Sequence, residues 1–178
     1  ILFAGNMSRL AGCSELLEAY RCLVPRGTEL WFCGQGSNPK VEAAARIDSR
    51  IRWLGLLTED QLRTTFGRAA IYVNPRPSQW HENRSNFPSK VLEYLKYGKP
   101  VVSTWTEGLA PEYRKVLVVA ETARPEDLAN ALSRALAMDA VARRRYSEAA
   151  RQFLGSKGWP DQATRLRQWI ESEVTASR

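Results

Sequence analysis

Histidine is nearly absent from this chain, with His81 the single copy in 178 residues. No histidine or carboxylate cluster has metal-ligand spacing, so the sequence offers no metal centre. His81 reads as a loop residue outside any Ser-His-Asp triad. Cysteine is sparse too: Cys13, Cys22 and Cys33 form an odd set without a CxxC pair. That argues against a disulfide framework and a zinc site, and for buried, reduced thiols in a cytoplasmic protein. No apolar run approaches the roughly 18 residues of a membrane span, and no signal-peptide pattern opens the chain. There is no initial methionine; "ILFAGN" already reads as a core strand, as expected for a piece of a longer protein cut at a domain boundary. Internal repeats, low-complexity tracts and RNA-binding aromatic signatures are also missing.

What is present is the composition of a globular domain, 44% hydrophobic and 25% charged. The length suits one domain with a core of its own. A net charge of +7 favours anionic partners: nucleotide phosphates, an acidic membrane surface or nucleic acid. Much of the excess lies in "VARRRYSEAARQ" and "RLRQW", which read equally as solvated helix faces.

Short apolar runs alternate with helical periodicity. "ILFAG", "ELWFCG", "IRWLG", "AIYVNP", "KPVVST" and "KVLVVA" read as six strands. Between them "SELLEAYRCL", "KVEAAARI", "TEDQLRTTFGRA", "SKVLEYLKYG" and "RPEDLANALSRALA" carry helical spacing, with Ser14 and Thr58 as caps and Gly98 as a stop. "RPSQWHENRSN" reads as a long polar loop. Residues 140–178 read as closing helices, one with Pro160 in its first turn. Continuously apolar strands are covered on both faces, so the pattern predicts an α/β fold with a doubly wound parallel sheet of Rossmann type. Ligands of such sheets sit beyond the carboxyl ends of the strands. Here those ends are Gly5-Asn6, Gly34-Gln35-Gly36, Gly55, Asn74-Pro75-Arg76 and Ser103-Thr104.

The stretch "SNFPSKVLEYLKYGKPVVST" carries the most chemistry. Pro88 suits a helix start, and Ser89 and Lys90 fall in the first turn, where N–H groups and the helix dipole favour an anion. A lysine there opposes the dipole and makes sense if a phosphate arrives. Glu93, three residues on, shares the face of Lys90 and could accept hydrogen bonds from ribose hydroxyls. The same pair also reads as a plain i, i+3 surface ion pair. Trp80 and Trp105 could line a sugar cleft, or simply pack.

"NPRP" followed by "NRSNFPSKVLEYLKYGKPVVS" resembles the donor-binding, C-terminal half of retaining GT-B glycosyltransferases of the group 1 (family 4-like) class, found in polysaccharide assembly. "ILFAGNMSRLAGCSELLEAY", "TELWFCGQGS", "IRWLGLLTEDQLRTTFGRAAIYVNP" and "GWPDQATRLRQWI" follow in the family's order, so the resemblance covers nearly the whole chain. It implies a UDP- or GDP-sugar donor and no metal or other cofactor. It also implies transfer to a glycan or lipid-linked acceptor, and an N-terminal acceptor domain outside this chain, without which this half should be inactive. Peripheral contact at the inner membrane face is the implied location, with nucleic acid excluded as a partner. Glu93 would hold the ribose, Ser89 and Lys90 the diphosphate, and Gly5 and Asn6 the glycine turn beside it. Leu54 to Leu56 would lie near the base, and Ser85, Asn86 and Phe87 on the sugar side. The closing helix would cross toward the other half, leaving Trp159 and Trp169 exposed. The sequence departs from the family where many members carry a glutamate eight residues before Glu93; here stands Ser85, with Glu82 the nearest upstream carboxylate. The arginine and lysine common in the first loop are Asn6 and Ala11, with Arg9 between. The rival readings are a sugar-nucleotide epimerase or hydrolase of the same fold, and a non-catalytic nucleotide- or polyanion-binding module.

Overall fold

The protein is described from a computed structural model that covers residues 1–23 and 27–176. Six strands form one sheet: β1 (Leu2–Ala4), β2 (Leu30–Cys33), β3 (Ile51–Trp53), β4 (Tyr72–Asn74), β5 (Val101–Thr104) and β6 (Val118–Ala120). Their order is β3-β2-β1-β4-β5-β6 and every pair is parallel, with Phe3 beside Phe32 and Val73 beside Val102. This is the Rossmann-like α/β sheet that the alternation of elements predicts. Because neighbouring strand residues point to opposite faces, Phe3, Phe32 and Val102 pack on one side and Leu2, Cys33 and Val101 on the other.

Helices cover both faces. On the first lie α1 (Cys13–Leu23), α2 (Pro39–Ile47) and α6 (Pro125–Leu136), which contribute Leu16, Leu17, Val41, Leu128 and Leu132. On the second lie α3 (Glu59–Arg68), α5 (Lys90–Leu95) and α7 (Ala140–Gly155), which contribute Phe66, Val91, Tyr94, Leu95 and Ala150. Each such large side chain, fully buried, stabilises the fold by roughly 1.5–3 kcal/mol relative to exposure, so two continuous apolar clusters account for the layering. The helix α4 (His81–Arg84) precedes α5, and α8 (Trp159–Ala176) closes the chain.

Local signals explain most boundaries. Thr58 forms a full capping box with Gln61 at the start of α3, and Gly98 leaves α5 at φ 62°. Three expectations need correction. Ser14 does not cap α1: the chain arrives through a 3-10 turn (Arg9–Ala11), Gly12 turns it at φ 79°, and the Gly12 carbonyl accepts from Leu16, so Ser14 already lies inside the helix. The polar segment after β4 is not all loop, since it contains α4. Cys22 is exposed, whereas Cys13 and Cys33 are buried and all three are free; burial pushes the Cys13 thiol up to about 12. The expectations for Pro160 and Trp159 rest on side chains outside those described.

Candidate functional site

The strand order reverses between β1 and β4, and at that switch point a sheet opens a crevice beyond its carboxyl ends. A groove of about 320 Å³ occupies it. Its walls are the exits of β1 (Ala4, Gly5, Asn6) and β4 (Asn74, Arg76) and the approach to α5 (Asn86 to Lys90). A second hollow of about 260 Å³ shares Ala4, Gly5, Asn6 and Lys90 with it and continues toward Cys33, Gly34, Gln35, Leu56 and Leu57. Together they make one elongated trough along the carboxyl edge, polar near Lys90 and apolar at Leu56 and Leu57.

Two backbone features shape the trough. Gly34 has φ 135°, and a Cβ there would fall 1.9 Å from the Gly5 carbonyl oxygen. The exits of β1 and β2 can therefore run side by side only with glycine at 34, with Gly5 N–H donating to Cys33 at 2.9 Å and Gly34 N–H to Gly55 at 2.9 Å. Beyond Gly5, the Asn6 side-chain oxygen accepts from Ser8 N–H at 2.8 Å and turns the chain into the loop before α1.

Lys90 and Glu93 stand at this edge. The Lys90 ammonium donates to Glu93 Oε2 at 2.8 Å, and both side chains are partly exposed. The ion-pair reading of this motif is therefore realised in the ligand-free chain. The pair also sits over the end of β2: burial pushes the Cys33 thiol up to about 11, with Lys90 opposing that shift and Glu93 adding to it. The turn before α5 is tight, with Val91 and Leu92 N–H groups bonded to Pro88 and Ser89 at 2.9 and 3.1 Å. Ser89 adopts helical angles and makes no side-chain cap. An anion would meet the N–H groups of the first residues and the Lys90 ammonium, rather than the whole first turn.

Of the residues named from sequence, Gly5, Asn6, Asn86, Phe87, Ser89 and Lys90 share the first groove, and Glu93 joins it through Lys90. Ser85 lies in the adjoining depression with His81, Glu82, Arg84 and Glu107, which meets the groove at Asn86. Leu54 lines the neighbouring hollow against α3 with Trp31, Arg52 and Arg68, which meets the trough at Leu57, while Leu56 lines the trough itself. Trp80 and Trp105 line neither part of the trough; Arg9 covers the first ring at 4.8 Å and Arg114 the second at 4.2 Å.

Sequence reasoning named Arg76 only as part of a strand exit and passed over Asn83 and Tyr94. Asn83 is buried, donates to the carbonyls of Leu10 (2.9 Å) and Pro77 (3.2 Å), and accepts from Arg76 at 3.2 Å. It thereby pins the one guanidinium in the groove and holds α4 without apolar periodicity. The place of Arg76 two residues beyond a strand was the available signal; Asn83 left none. Among the described residues no group of three or more His, Cys, Asp or Glu is placed to hold a metal ion.

The sheet order and the trough at its switch point define a Rossmann-like α/β protein with an elongated trough along its carboxyl edge. The family model of glycosyl transferases group 1 matches residues 1–138, and the chain belongs to that family. Its fold is that of GT-B glycosyltransferase domains. A glycosyltransferase from Rickettsia africae superposes with a TM-score of 0.76 at 19% identity, over 98% of this chain and 47% of its own. The Anabaena protein HepE in complex with UDP-glucose gives 0.67 at 16% identity, over 98% and 48%. The catalytic domain of cholesterol-α-glucosyltransferase from Helicobacter pylori gives 0.68 at 16% identity, over 88% and 97%. The chain thus spans less than half the length of the first two. No curated protein matches the sequence.

Proposed function

We propose that this chain is the nucleotide-sugar-binding half of a glycosyltransferase. The observation that carries the proposal is the trough, with Lys90 and Glu93 beside the Gly5–Asn6 turn at the switch point of the sheet. The donor would lie with its base between Gln35 and Leu56, its diphosphate against Lys90, Ser89 and the Gly5 turn, and its sugar toward Asn86, Phe87 and Ser85. Glu93, released from Lys90 as the ammonium turns to phosphate, would accept hydrogen bonds from the ribose. Arg76 would add a second cation. Fixed donors of this kind stabilise the leaving diphosphate without a metal. HepE, of the same fold, is solved with UDP-glucose, which makes a UDP-sugar the first donor to test.

The acceptor side would come from a further domain, as the greater length of the Rickettsia and Anabaena proteins suggests. Transfer with retention to a glycan or lipid-linked acceptor, in the cytoplasm near the inner membrane face, completes the reading. The polyanion alternative is weakened by Arg143, whose guanidinium is engaged with the carbonyls of Ala70, Ala135, Leu136 and Met138.

Calorimetric titration of the chain with UDP, GDP and ADP tests the site. We expect one nucleotide to bind at physiological salt. Lys90→Ala and Glu93→Ala should each weaken it by about tenfold or more, the worth of a hydrogen bond to a charged group. Wild-type affinity in both variants would sink the assignment. A collapse of binding with salt that is insensitive to either substitution would favour a polyanion surface.

A further inference from the structure

The sheet comes apart at its switch point, and one hydroxyl closes the gap. β1 pairs with β4 only through Leu2 and Tyr72, with Leu2 N–H donating to the Ile71 carbonyl at 2.9 Å. In a parallel ladder alternate residues face the same neighbour. Ala4 is therefore the next β1 residue to face β4, and that register sets it against the Val73 carbonyl and the nitrogen of Pro75. A proline nitrogen carries no hydrogen, so the ladder has no donor for the Ala4 carbonyl.

The Tyr94 hydroxyl supplies what is missing. It accepts from Ala4 N–H at 3.0 Å and donates to the Ala4 carbonyl at 2.9 Å, using a lone pair and its one proton. Tyr94 is 1% exposed, and its ring stacks on Tyr72 at 5.0 Å with 13° between planes. It comes from α5, directly after Glu93 and one helical turn from Lys90, while Ala4 leads directly into Gly5 and Asn6. The two walls of the trough thus pack together and are hydrogen-bonded through this hydroxyl.

We propose that Tyr94 is a positioning residue for the donor site. Its hydroxyl holds the Gly5–Asn6 turn at a fixed spacing from Lys90 and Glu93, and so sets the gap into which a diphosphate fits. This rests on the donor-site reading above. Tyr72 provides a matched control: its hydroxyl donates to the Phe66 carbonyl at 2.7 Å, is equally buried, and lies outside the trough.

The test compares Tyr94→Phe with Tyr72→Phe in the whole chain, since both keep the ring. Amide hydrogen exchange without ligand should show the Ala4 N–H losing about tenfold in protection in Tyr94→Phe beyond any change shared by β2, and no such local loss in Tyr72→Phe. UDP affinity should fall about tenfold in the first variant and stay unchanged in the second. Unchanged Ala4 protection, or equal UDP affinity in the two variants, overturns the proposal. If the wild-type chain binds GDP or ADP in place of UDP, the affinity comparison is made with that nucleotide; a chain that binds none of the three overturns the donor reading instead, and the exchange comparison then decides by itself whether Tyr94 holds the turn.

Discussion

A lysine in a Gly-Lys-Pro turn next to a predicted phosphate site invites assignment to the ligand, yet Lys99 does other work. Its ammonium donates to the carbonyls of Gly67 and Ala69, both at 2.6 Å, and to that of Phe66 at 3.4 Å. These carbonyls lie at the C-terminal end of α3, where a helix runs short of its own donors, and a cation there also suits the helix dipole. Lys99 thus ties the end of α3 to the start of β5, at the edge of the sheet away from the trough. Replacing it with methionine keeps the stem and removes the donors. We expect Lys99→Met to lower stability by about 1–2 kcal/mol in urea denaturation, with nucleotide affinity unchanged. Lys90 and Lys99 separate by function on this test: Lys90→Ala should cost affinity and little stability, Lys99→Met the reverse.

Elements whose ends are written in local chemistry were legible from the sequence, and those held by distant contacts were not. Thr58 followed by Glu59, Asp60 and Gln61 states a helix start within four residues, and α3 begins there with its capping box. Thr58→Ala should therefore destabilise the fold by about 1 kcal/mol, read as a shift in the urea midpoint at constant slope. The apolar runs of β1, β4 and β5 were legible because burial on both faces leaves no polar alternation to confuse them. Ser14 misled because its neighbour Gly12 is set by a contact sixty residues downstream: a Cβ at 12 would fall 1.8 Å from the Pro75 carbonyl oxygen. α4 escaped notice because its anchor is a buried amide that reaches back to Leu10. Within the trough the charged and glycine positions could be read, Arg76 as part of a strand exit, while Tyr94 depends on how α5 meets β1. Of the stretch Leu54 to Leu56, Leu54 faces α3 in the hollow that meets the trough at Leu57, and Leu56 faces the trough.

On the scale of the molecule, α8 is the element least explained by the chain itself. Leu166, Trp169, Ile170 and Val174 recur at helical spacing and are 55%, 60%, 47% and 54% exposed. A helix whose apolar stripe remains in water gains little from burial, so α8 should contribute little to the stability of the sheet and its covering layers. α7, by contrast, is fastened at both ends: Tyr146 bonds the Val101 N–H and the Val116 carbonyl, and Lys157 just beyond it pairs with Glu112 at 2.6 Å. A chain ending at Gly158 keeps all of these contacts. We expect that truncation to change the unfolding free energy by less than about 0.5 kcal/mol, the range of substitutions outside packed regions, and to lower binding of a hydrophobic dye. The same truncation should leave UDP affinity intact, because among the described residues none that lines the trough lies beyond Tyr94. If activity in the longer protein nonetheless requires residues 159–178, their stripe is needed for joining this half to the other and not for holding the donor. A large loss of stability on truncation would instead make α8 part of the folded core of this domain.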